Sequence, residues 1–453
     1  MEILSKLISL LEETEFDDLP HEAVENEKKF ILDSLGVAIA GSSAPGCKEL
    51  ISLVKEWGGK PEATVMIYGG KVPSPLAALA NSTMMHALDF DDTLDERPLH
   101  AHVSVLPAAL AVAEAKGKVS GKDFLTAVIL GVDLVCRLGL AVRRPLSWIR
   151  TATCGSFGAA AVAAKILGLD REKMLNTLGI VYSQTSGNAQ CLIDGGLVKR
   201  MQPAFSAKAG VISAYLAQRG ITGARDVFEG EHGFFNLYER GEWDRGPLLD
   251  GLGERFEGGR LSIKPFPSCR MTHAAIDAAL EITSRHKIDP MKIKKVTVFV
   301  SKMVKEMVGS PFRIRTAPQV DAQFSIPYTV AVALIRGDVS LEDFQGPAVK
   351  DATVQELARK VEVLADPKIE EKNIREASIL IETRDNLSYS HKVSAIKGSP
   401  QKPMSFEECM DKFNKCVRFG EVKMGSEKVS ALIDCVGHLE DVEDINMLIR
   451  FLS

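Results

Sequence analysis

The sequence lacks the features that mark secreted or membrane-spanning proteins. Its eight cysteines form no CxxC pair, so neither a disulfide framework nor a zinc ribbon is indicated. No run of about 18 uncharged apolar residues occurs, and a membrane-spanning helix needs about that length. The most apolar stretch, residues 126–136, is interrupted by Asp133. The N-terminal MEILSKLISLLEETEF carries early acids and has no small-residue cleavage site, so we expect a cytoplasmic protein without a membrane partner.

The sequence also lacks an excess of positive charge. Its net charge is −5 and its pI is near 6.1, whereas a dedicated nucleic-acid-binding protein is usually basic. We therefore expect no nucleic-acid partner. Apolar residues make up 45% and charged residues 25%, a balance that excludes global disorder. With 36 Gly and 20 Pro spread along the chain, a continuous coiled coil is excluded as well.

The pattern of apolar residues divides the chain into two kinds of region. Helical spacing dominates the first 250 residues or so, with helices predicted at 23–40, 74–88, 104–115, 122–142, 155–167, 171–186 and 206–218. After residue 255 strands are predicted at 296–301, 378–385 and 391–397, with helices at 272–286, 320–337 and 351–363. Helical spacing returns at 405–418, 429–440 and 446–453.

This order predicts a mainly α protein. A large all-helical domain would be formed from both chain ends, residues 1–259 and 400–453, with a smaller α+β domain inserted at 260–399. Many of the predicted helices are apolar on more than one face, which indicates burial by neighbouring helices. Small residues in GSFGAAAVAA, residues 155–164, would allow those helices to approach closely.

The segment HALDFDDTLDERPLHAH, residues 86–102, holds the densest set of reactive side chains, with five acids and three histidines. If the preceding helix continues, Asp89 and Asp92 share one face, and carboxylates held close together can form an acid–base pair. Two other interpretations stay open. The segment could be a solvated acidic loop in which Asp92 or Thr93 caps a helix, or its carboxylates and histidines could bind a divalent metal.

Three further segments carry candidate site residues. DGGLVKRMQPAFSAK, residues 194–208, could bind an anion or simply expose its cations. IKPFPSCRMTH, residues 263–273, is a rigid loop whose Lys264 and Arg270 suit carboxylate recognition. Cys269 with His273 as its base is a weaker possibility. In DAQFSIPY, residues 321–328, Tyr328 is either an acid–base group or a core aromatic.

Four blocks together resemble signatures of the MmgE/PrpD family in order and spacing. They are HALDFDDT at 86–93, TATCGSFGAAAVAAKILGL at 151–169, GLVKRMQPAFSAKAG at 196–210 and IKPFPSCRMTHAAIDAA at 263–279. That family includes 2-methylcitrate dehydratase and cis-aconitate decarboxylase. The resemblance implies a helical domain with an inserted lid domain, a homodimer, and an active site in the cleft between domains without metal or organic cofactor.

The resemblance also implies roles for individual residues. Asp89 and Thr93 match the family's DFDDT motif, and its following histidine falls at His100 in an ungapped comparison or at His102 if the HVS text is matched. Lys199, Lys264 and Tyr328 match further catalytic positions, and Cys269 stands where some members have histidine. Arg150 and Arg270, with Cys269, are candidate substrate-binding residues.

One position departs from the family pattern. Members commonly have histidine after the tryptophan of a W-H-x-T-A-T segment, and this chain has Ile149 after Trp148. Isoleucine cannot transfer a proton, so another residue does this work or the reaction differs. The resemblance implies proton transfer next to a carboxylate of a small di- or tricarboxylate, and we expect a hydro-lyase of the 2-methylcitrate dehydratase type. Alternatives are a cofactor-independent epimerase of a dicarboxylate such as iminodisuccinate, a cis-aconitate-type decarboxylase, a non-catalytic carboxylate-binding descendant or a metal hydrolase.

Overall fold

The computed structural model describes residues 2–144, 148–315 and 317–453. The chain forms two compact units, one of Met1–Leu261 with Ser405–Ser453 and one of Ser262–Met404. The sequence pattern had placed the corresponding boundaries at 259/260 and 399/400. Most described residues of the chain are helical and the sheets are small, so the prediction of a mainly α protein is confirmed.

The first unit is built from α-helices and short 3₁₀ turns. Its longer helices before residue 262 confirm the seven predicted ones and the amphipathic helix that the N-terminal sequence indicates, and they add Cys47–Trp57. They are Glu2–Glu13, His21–Gly41, Cys47–Trp57, Ser74–Met85, His102–Lys116, Gly121–Ala141, Arg150–Leu167, Arg171–Tyr182 and Gln202–Gln218. Shorter helices lie at Gln190–Asp194, Phe234–Leu237 and Gly246–Leu249, and the two-residue strands Ala63–Thr64 and Lys71–Val72 pair antiparallel.

The central helices of this unit touch where glycine removes side-chain bulk. A Cβ atom added to Gly158 would lie 2.2 Å from Cγ2 of Val135, and one added to Gly131 would lie 3.1 Å from the carbonyl oxygen of Gly158. Both distances are shorter than ordinary contacts between nonbonded atoms. The helices Gly121–Ala141 and Arg150–Leu167 therefore need glycine at their crossing, as the small-residue pattern predicted.

Gly121–Ala141 is long and apolar enough to cross a membrane by length and composition, but its apolar window is 94% buried within the protein. A buried core helix passes the same test. Its charged pair is enclosed too, because Arg137 Nε lies 2.6 Å from Asp133 Oδ2 and the same guanidinium donates to the carbonyl groups of Pro247, Asp250 and Arg255. These bonds satisfy a buried guanidinium that would otherwise be costly.

The C-terminal segment completes the first unit with the helices Phe406–Phe419, Ser426–Gly437 and Asn446–Arg450. Phe406–Phe419 begins with Ser405 as its cap, whose hydroxyl accepts a hydrogen bond from the backbone N–H of Glu408. It packs along His21–Gly41, where a Cβ atom at Gly36 would lie 2.9 Å from the ring of Phe413.

The second unit has a four-stranded sheet in the order Val361–Ala365, Ile293–Val300, Ala377–Thr383 and Ser388–Val393. The first pair is parallel and the other two are antiparallel. Burial alternates along Ala377–Thr383, as expected for a strand with one face on the core. Its α-helices are His273–Arg285, Lys302–Val308, Pro318–Gln323, Ile326–Arg336, Gly346–Val349 and Ala352–Ala358.

Three predictions for the second unit were wrong in detail. The strand predicted at 391–397 runs from Ser388 to Val393. The helix predicted at 351–363 ends at Ala358, and Val361–Ala365 is a strand that pairs with Ile293–Val300. The helix predicted at 320–337 is two helices, because Ser325 caps a new helix that begins at Ile326 with Pro327 in its first turn. At Val361–Ala365 the tertiary environment overrides the local periodicity, whereas the break at Ser325 is set by the local cap and proline.

Candidate functional site

The backbone of residues 86–102 leaves the helical conformation before the acids begin. The helix Ser74–Met85 ends, and Asp89 adopts a left-handed conformation with φ of 55°. The prediction that Asp89 and Asp92 share a helical face is therefore wrong. The solvated-loop interpretation is wrong for Asp91 and Asp92, which are both 0% exposed.

Asp91 is shared by two histidines in what we call the His86 cluster (His86, Asp91 and His100). Its Oδ2 lies 2.8 Å from Nδ1 of His86 and 3.0 Å from Nδ1 of His100. Nδ1 of His100 also lies 2.5 Å from the backbone carbonyl oxygen of Asp92. Because an ionised carboxylate and a carbonyl oxygen only accept hydrogen bonds, both Nδ1 atoms donate, and Nε2 is the nitrogen left on each ring to accept a proton. The His100 side chain is 15% exposed and that of His86 is 1% exposed. His100 Nε2 is thus the accessible base of the cluster.

The charges of this cluster are set by burial and by the ratio of one acid to two imidazoles. Burial, together with the nearby Lys199 ammonium, lowers the pKa of His86 to about 4. Burial alone would raise the pKa of Asp91, but the imidazoles of His100 and His86 outweigh it and hold that pKa well below its usual range. Asp91 is therefore a carboxylate that orients two rings.

His102 belongs to a second group, the His102 cluster (Glu27, Asp92 and His102). Its Nε2 lies 2.9 Å from Glu27 Oε1, its Nδ1 lies 3.3 Å from Asp92 Oδ2, and its ring stacks on Phe30. Burial would lower the pKa of His102, but the two carboxylates outweigh it and raise that pKa to about 10. The imidazolium is fully buried and both nitrogens face carboxylates, so the ring has no base to offer a substrate.

Lys199 and Asp89 lie beside the His86 cluster. The ammonium of Lys199 is 3.0 Å from Asp89 Oδ1, and the two side chains are 28% and 17% exposed. Burial would lower the pKa of Lys199, but the carboxylates of Asp89 and Asp91 raise it. Lys199 sits in the 3₁₀ turn Leu197–Met201. It is therefore a cation held at the edge of the acidic segment, where a substrate carboxylate could compete for it.

Thr93, Arg150 and Ile149 also lie in the first unit. Thr93 is 6% exposed and Ile149 is 8% exposed. Arg150 is 4% exposed and donates to the carbonyl of Arg144, and burial lowers its pKa. Its role in carboxylate binding stays a prediction, and its burial weighs against it. The hydroxyl of Thr151 accepts a hydrogen bond from the backbone N–H of His100 at 3.2 Å, which connects the segment after Ile149 with the candidate base.

The second unit holds Lys264, Cys269 and Arg270. Lys264 is 2% exposed, and Cys269 is half-buried with its backbone N–H bonded to the carbonyl of Gln323. Arg270 Nη1 donates to the carbonyl of Lys397 at 3.1 Å and lies 3.2 Å from His273 Nδ1. The roles of these three residues stay predictions from the resemblance.

Tyr328 has the surroundings of a core residue. It is 0% exposed, packs against Phe312 and Phe344, and donates its hydroxyl hydrogen to the carbonyl of Asp343. Burial raises the pKa of this phenol further above its usual value. This geometry favours the core interpretation of Tyr328, and its role in proton transfer stays a prediction from the resemblance.

The metal interpretation has one candidate group among the described residues. His86, Asp91 and His100 place potential ligand atoms within 4.8 Å of one another. Their nitrogen and carboxylate donors fit zinc or another divalent transition metal. Nδ1 of His86 and Nδ1 of His100 already contact the Asp91 carboxylate. The same three residues are therefore also arranged in a way that suits proton transfer.

The sequence segment contained His86 and Asp91, but sequence reasoning did not select them for the site. The five-residue spacing between them matches neither helix nor strand periodicity. Glu27, the partner of His102, lies in another helix. No local signal could have identified it, since the contact depends on how the helices pack.

Comparisons with known proteins agree with the motif arrangement. The chain matches the MmgE/PrpD N-terminal domain over residues 5–245 and the MmgE/PrpD C-terminal domain over residues 266–435. It is 27% identical to cis-aconitate decarboxylase of Aspergillus terreus over 460 residues, 96% of this chain and 93% of that enzyme. Human cis-aconitate decarboxylase is 27% identical over 96% of this chain and 91% of its own length.

The 2-methylcitrate dehydratase of Escherichia coli is 23% identical over 359 residues, 74% of this chain and 72% of that enzyme. These relatives are enzymes that their names connect with small carboxylates. Both family domains occur in order and together cover most of the sequence. The chain therefore belongs to the MmgE/PrpD family.

Proposed function

We propose that this protein is a hydro-lyase of the 2-methylcitrate dehydratase type, which removes water from a small di- or tricarboxylate after proton transfer next to a carboxylate. The observation that carries the proposal is His100, whose Nδ1 is held 3.0 Å from the buried carboxylate of Asp91 and whose ring is partly exposed. A positioned imidazole with a free Nε2 can act as a general base near neutral pH.

In this proposal His100 Nε2 removes the proton from the carbon next to the carboxylate. Asp91 fixes the tautomer and stabilises the imidazolium that forms, because the carboxylate remains ionised next to both rings. The imidazolium can then return the proton to the leaving hydroxyl, which completes the elimination of water. His86 stays neutral at the working pH, so it adds no repulsion to the charged ring beside it.

Lys199 supplies the opposite charge in the same region. Its ammonium is paired with Asp89 at 3.0 Å and is partly exposed. A substrate carboxylate that reaches it would gain a charge-assisted hydrogen bond, and the ammonium would stabilise negative charge that develops on an enediolate. Asp89 would hold the ammonium in place before substrate binds.

Decarboxylation is the second candidate, and the span of similarity favours it. The cis-aconitate decarboxylases of A. terreus and human align with 96% of this chain, against 74% for the E. coli dehydratase. In that reaction Lys199 would stabilise the charge left after loss of carbon dioxide, and an imidazolium would protonate the carbon. Ile149 stands where the family commonly has a histidine that can transfer protons, so His100 alone would protonate the carbon.

Proton NMR of the purified protein in deuterated water tests both candidates. The panel would contain 2-methylcitrate, citrate, cis-aconitate and iminodisuccinate. We expect new olefinic signals from a hydroxy acid, whereas loss of a carboxyl carbon would favour decarboxylation. Deuterium incorporation with inversion and no elimination would favour the epimerase. His100→Gln is expected to abolish the reaction, and unchanged turnover by this variant would contradict the proposal.

We also propose that the protein works as a homodimer without a metal or organic cofactor, as the resemblance implies, and that it is cytoplasmic, as its cysteine usage indicates. Multi-angle light scattering of the purified chain tests the dimer. Elemental analysis and activity after dialysis against a chelator test the second point. Near-stoichiometric zinc bound in the wild type, and lost in His86→Gln, would instead identify the His86 cluster as a metal site.

A further inference from the structure

The ammonium of Lys412 is buried against the acidic segment, although it comes from the far end of the chain. Its Nζ donates to the carbonyl oxygen of Phe90 at 2.9 Å and lies 3.8 Å from the centre of the Phe90 ring. It also lies 2.5 Å from Asp33 Oδ1, and the side chains of Lys412 and Asp33 are 4% and 0% exposed. One cation therefore contacts a carbonyl, an aromatic face and a carboxylate.

Phe90 occupies a sensitive position. It lies between Asp89, which pairs with Lys199, and Asp91, which orients the two histidines. Asp89 is in the left-handed region with φ of 55°. A residue other than glycine is strained in such a conformation and keeps it only if the surroundings hold it. The hydrogen bond from Lys412 to the carbonyl oxygen of Phe90 fixes the peptide group between Phe90 and Asp91.

Asp33 keeps the ammonium in that place. Neither carboxylate oxygen of Asp33 has a conventional hydrogen-bond partner among the described residues, so its contact with Lys412 is an ion pair. A buried carboxylate without such a cation would carry a large desolvation cost. Asp33 lies in the helix His21–Gly41 and Lys412 in Phe406–Phe419, which pack together.

We propose that Lys412 and Asp33 are positioning residues that hold the turn at Asp89–Asp91 so that the His86 cluster and Lys199 keep their working arrangement. Neither residue touches the reacting atoms. The effect on turnover rests on the proposed function, but the effect on the histidines does not, because it concerns the resting protein.

Lys28 provides a matched control. Its side chain is also 4% exposed, it contacts Glu440 at 2.8 Å, and it donates to the carbonyl of Gly437 at 3.1 Å. None of its contacts in the described structure reaches residues 86–102. Lys28→Met therefore removes a buried lysine that binds the same C-terminal segment, without releasing the acidic turn.

The experiment compares Lys412→Met, the double variant Asp33→Asn/Lys412→Met and Lys28→Met with the wild type. The double variant avoids leaving an unpaired buried carboxylate, which could prevent Lys412→Met from folding. Imidazole NMR signals of His86 and His100, assigned with His86→Gln and His100→Gln, would be followed against pH. Turnover would be measured with whichever carboxylate the wild type converts.

We expect the double variant to shift the imidazole signals or titration of His86 and His100 and to lower kcat about 10- to 100-fold, since small displacements at a site have effects of that size. Lys28→Met should lower thermal stability and leave these histidine signals and kcat unchanged. Wild-type-like signals and a kcat within twofold of Lys28→Met in a folded double variant would overturn the proposal. A wild type that converts no carboxylate would contradict the proposed function, while the NMR comparison would still decide the role of Lys412.

Discussion

The His86 cluster and the His102 cluster both combine carboxylates with histidines of one short segment, yet they hold His86 and His102 in opposite charge states. In the first, one carboxylate serves two imidazoles and the pKa of His86 falls to about 4. In the second, two carboxylates serve one imidazole and the pKa of His102 rises to about 10. His86 and His102 are both buried, so burial alone does not decide the charge.

Residues of one sequence motif can thus belong to two clusters with different environments. Asp91 and Asp92 are neighbours in the chain, but the Asp91 carboxylate contacts the partly exposed His100 and the Asp92 carboxylate closes a buried ion pair. The backbone carbonyl of Asp92 also accepts a hydrogen bond from His100 Nδ1. If the buried imidazolium of His102 lost its proton, two buried carboxylates would be left without a positively charged partner, which is strongly unfavourable. An imidazole with a free nitrogen at the edge of the cluster is available for proton transfer.

The largest expected effect comes from breaking the first cluster. Asp91→Asn should lower kcat by about 10²-fold or more, because a neutral amide no longer stabilises the imidazolium that forms on His100. The backbone carbonyl of Asp92 still accepts from His100 Nδ1, so this variant tests the charge of Asp91. Asp92→Asn is the matched change in the second cluster, and per folded molecule it should retain most of its turnover. Steady-state kinetics on both variants checks the prediction, and equal losses of kcat would erase the distinction.

His102→Gln should act on stability. Removing one partner of a buried ion pair leaves Glu27 and Asp92 uncompensated, and we expect a loss of about 3–5 kcal/mol in the free energy of unfolding. Urea denaturation measures this loss. His100→Gln, whose ring is partly exposed, should lose less stability and far more activity. The reverse order would assign the active ring to His102.

The pH dependence of stability sharpens the contrast. His102 has its pKa raised from 6.5 to about 10 in the folded state, so its contribution is fully present below about pH 6.5. It is lost as pH rises through 10, with a slope that approaches about 1.4 kcal/mol per pH unit. His102→Gln should flatten this alkaline decline in denaturation curves recorded between pH 7 and 10. A decline of the same slope in the variant would mean that another group titrates.

Lys199→Met tests whether the cation beside the first cluster meets the substrate. We expect KM to rise about tenfold or more, because a charge-assisted hydrogen bond to a carboxylate is lost. The charged surface residue Lys173, which pairs only with Asp170 in the described structure, gives the control Lys173→Met. An unchanged KM for Lys199→Met would show that Asp89 alone is its partner.

Tyr328→Phe has the smallest expected effect and extends the comparison to the second unit. Like His102, Tyr328 is sealed from solvent with its polar atom already bonded. We expect a loss of about 1 kcal/mol in the free energy of unfolding and no change in kcat. Denaturation and kinetics on the same sample check this. A large fall in kcat would restore Tyr328 as a catalytic residue.

The fold was accessible from the sequence because helix periodicity is local. The predicted helix 206–218, for example, differs from the observed Gln202–Gln218 only at its start, because the apolar pattern begins after the first turn of the helix. The strand Val361–Ala365 was missed because its short apolar run continues the pattern of the preceding helix. Only pairing with Ile293–Val300 distinguishes it.

The site was accessible only in part. The motif resemblance identified Asp89, His100 and Lys199, of which Asp89 and Lys199 are in direct contact. It left the choice between His100 and His102 open, because their different surroundings depend on Glu27, which is 75 residues away from His102. Lys412 is still more remote, since 322 residues separate it from Phe90. Such contacts are fixed by helix packing, which no single-sequence pattern records.

The bond between Lys412 and Phe90 has a consequence for how the protein is made. A ribosome adds about 5–20 residues per second, and domains that are contiguous in sequence can fold while synthesis continues. Here the acidic turn emerges early, but the lysine that secures it follows 322 residues later. At that rate Lys412 is added roughly a quarter of a minute or longer after Phe90. The contact that secures this turn therefore forms late in synthesis, long after the turn itself has been made.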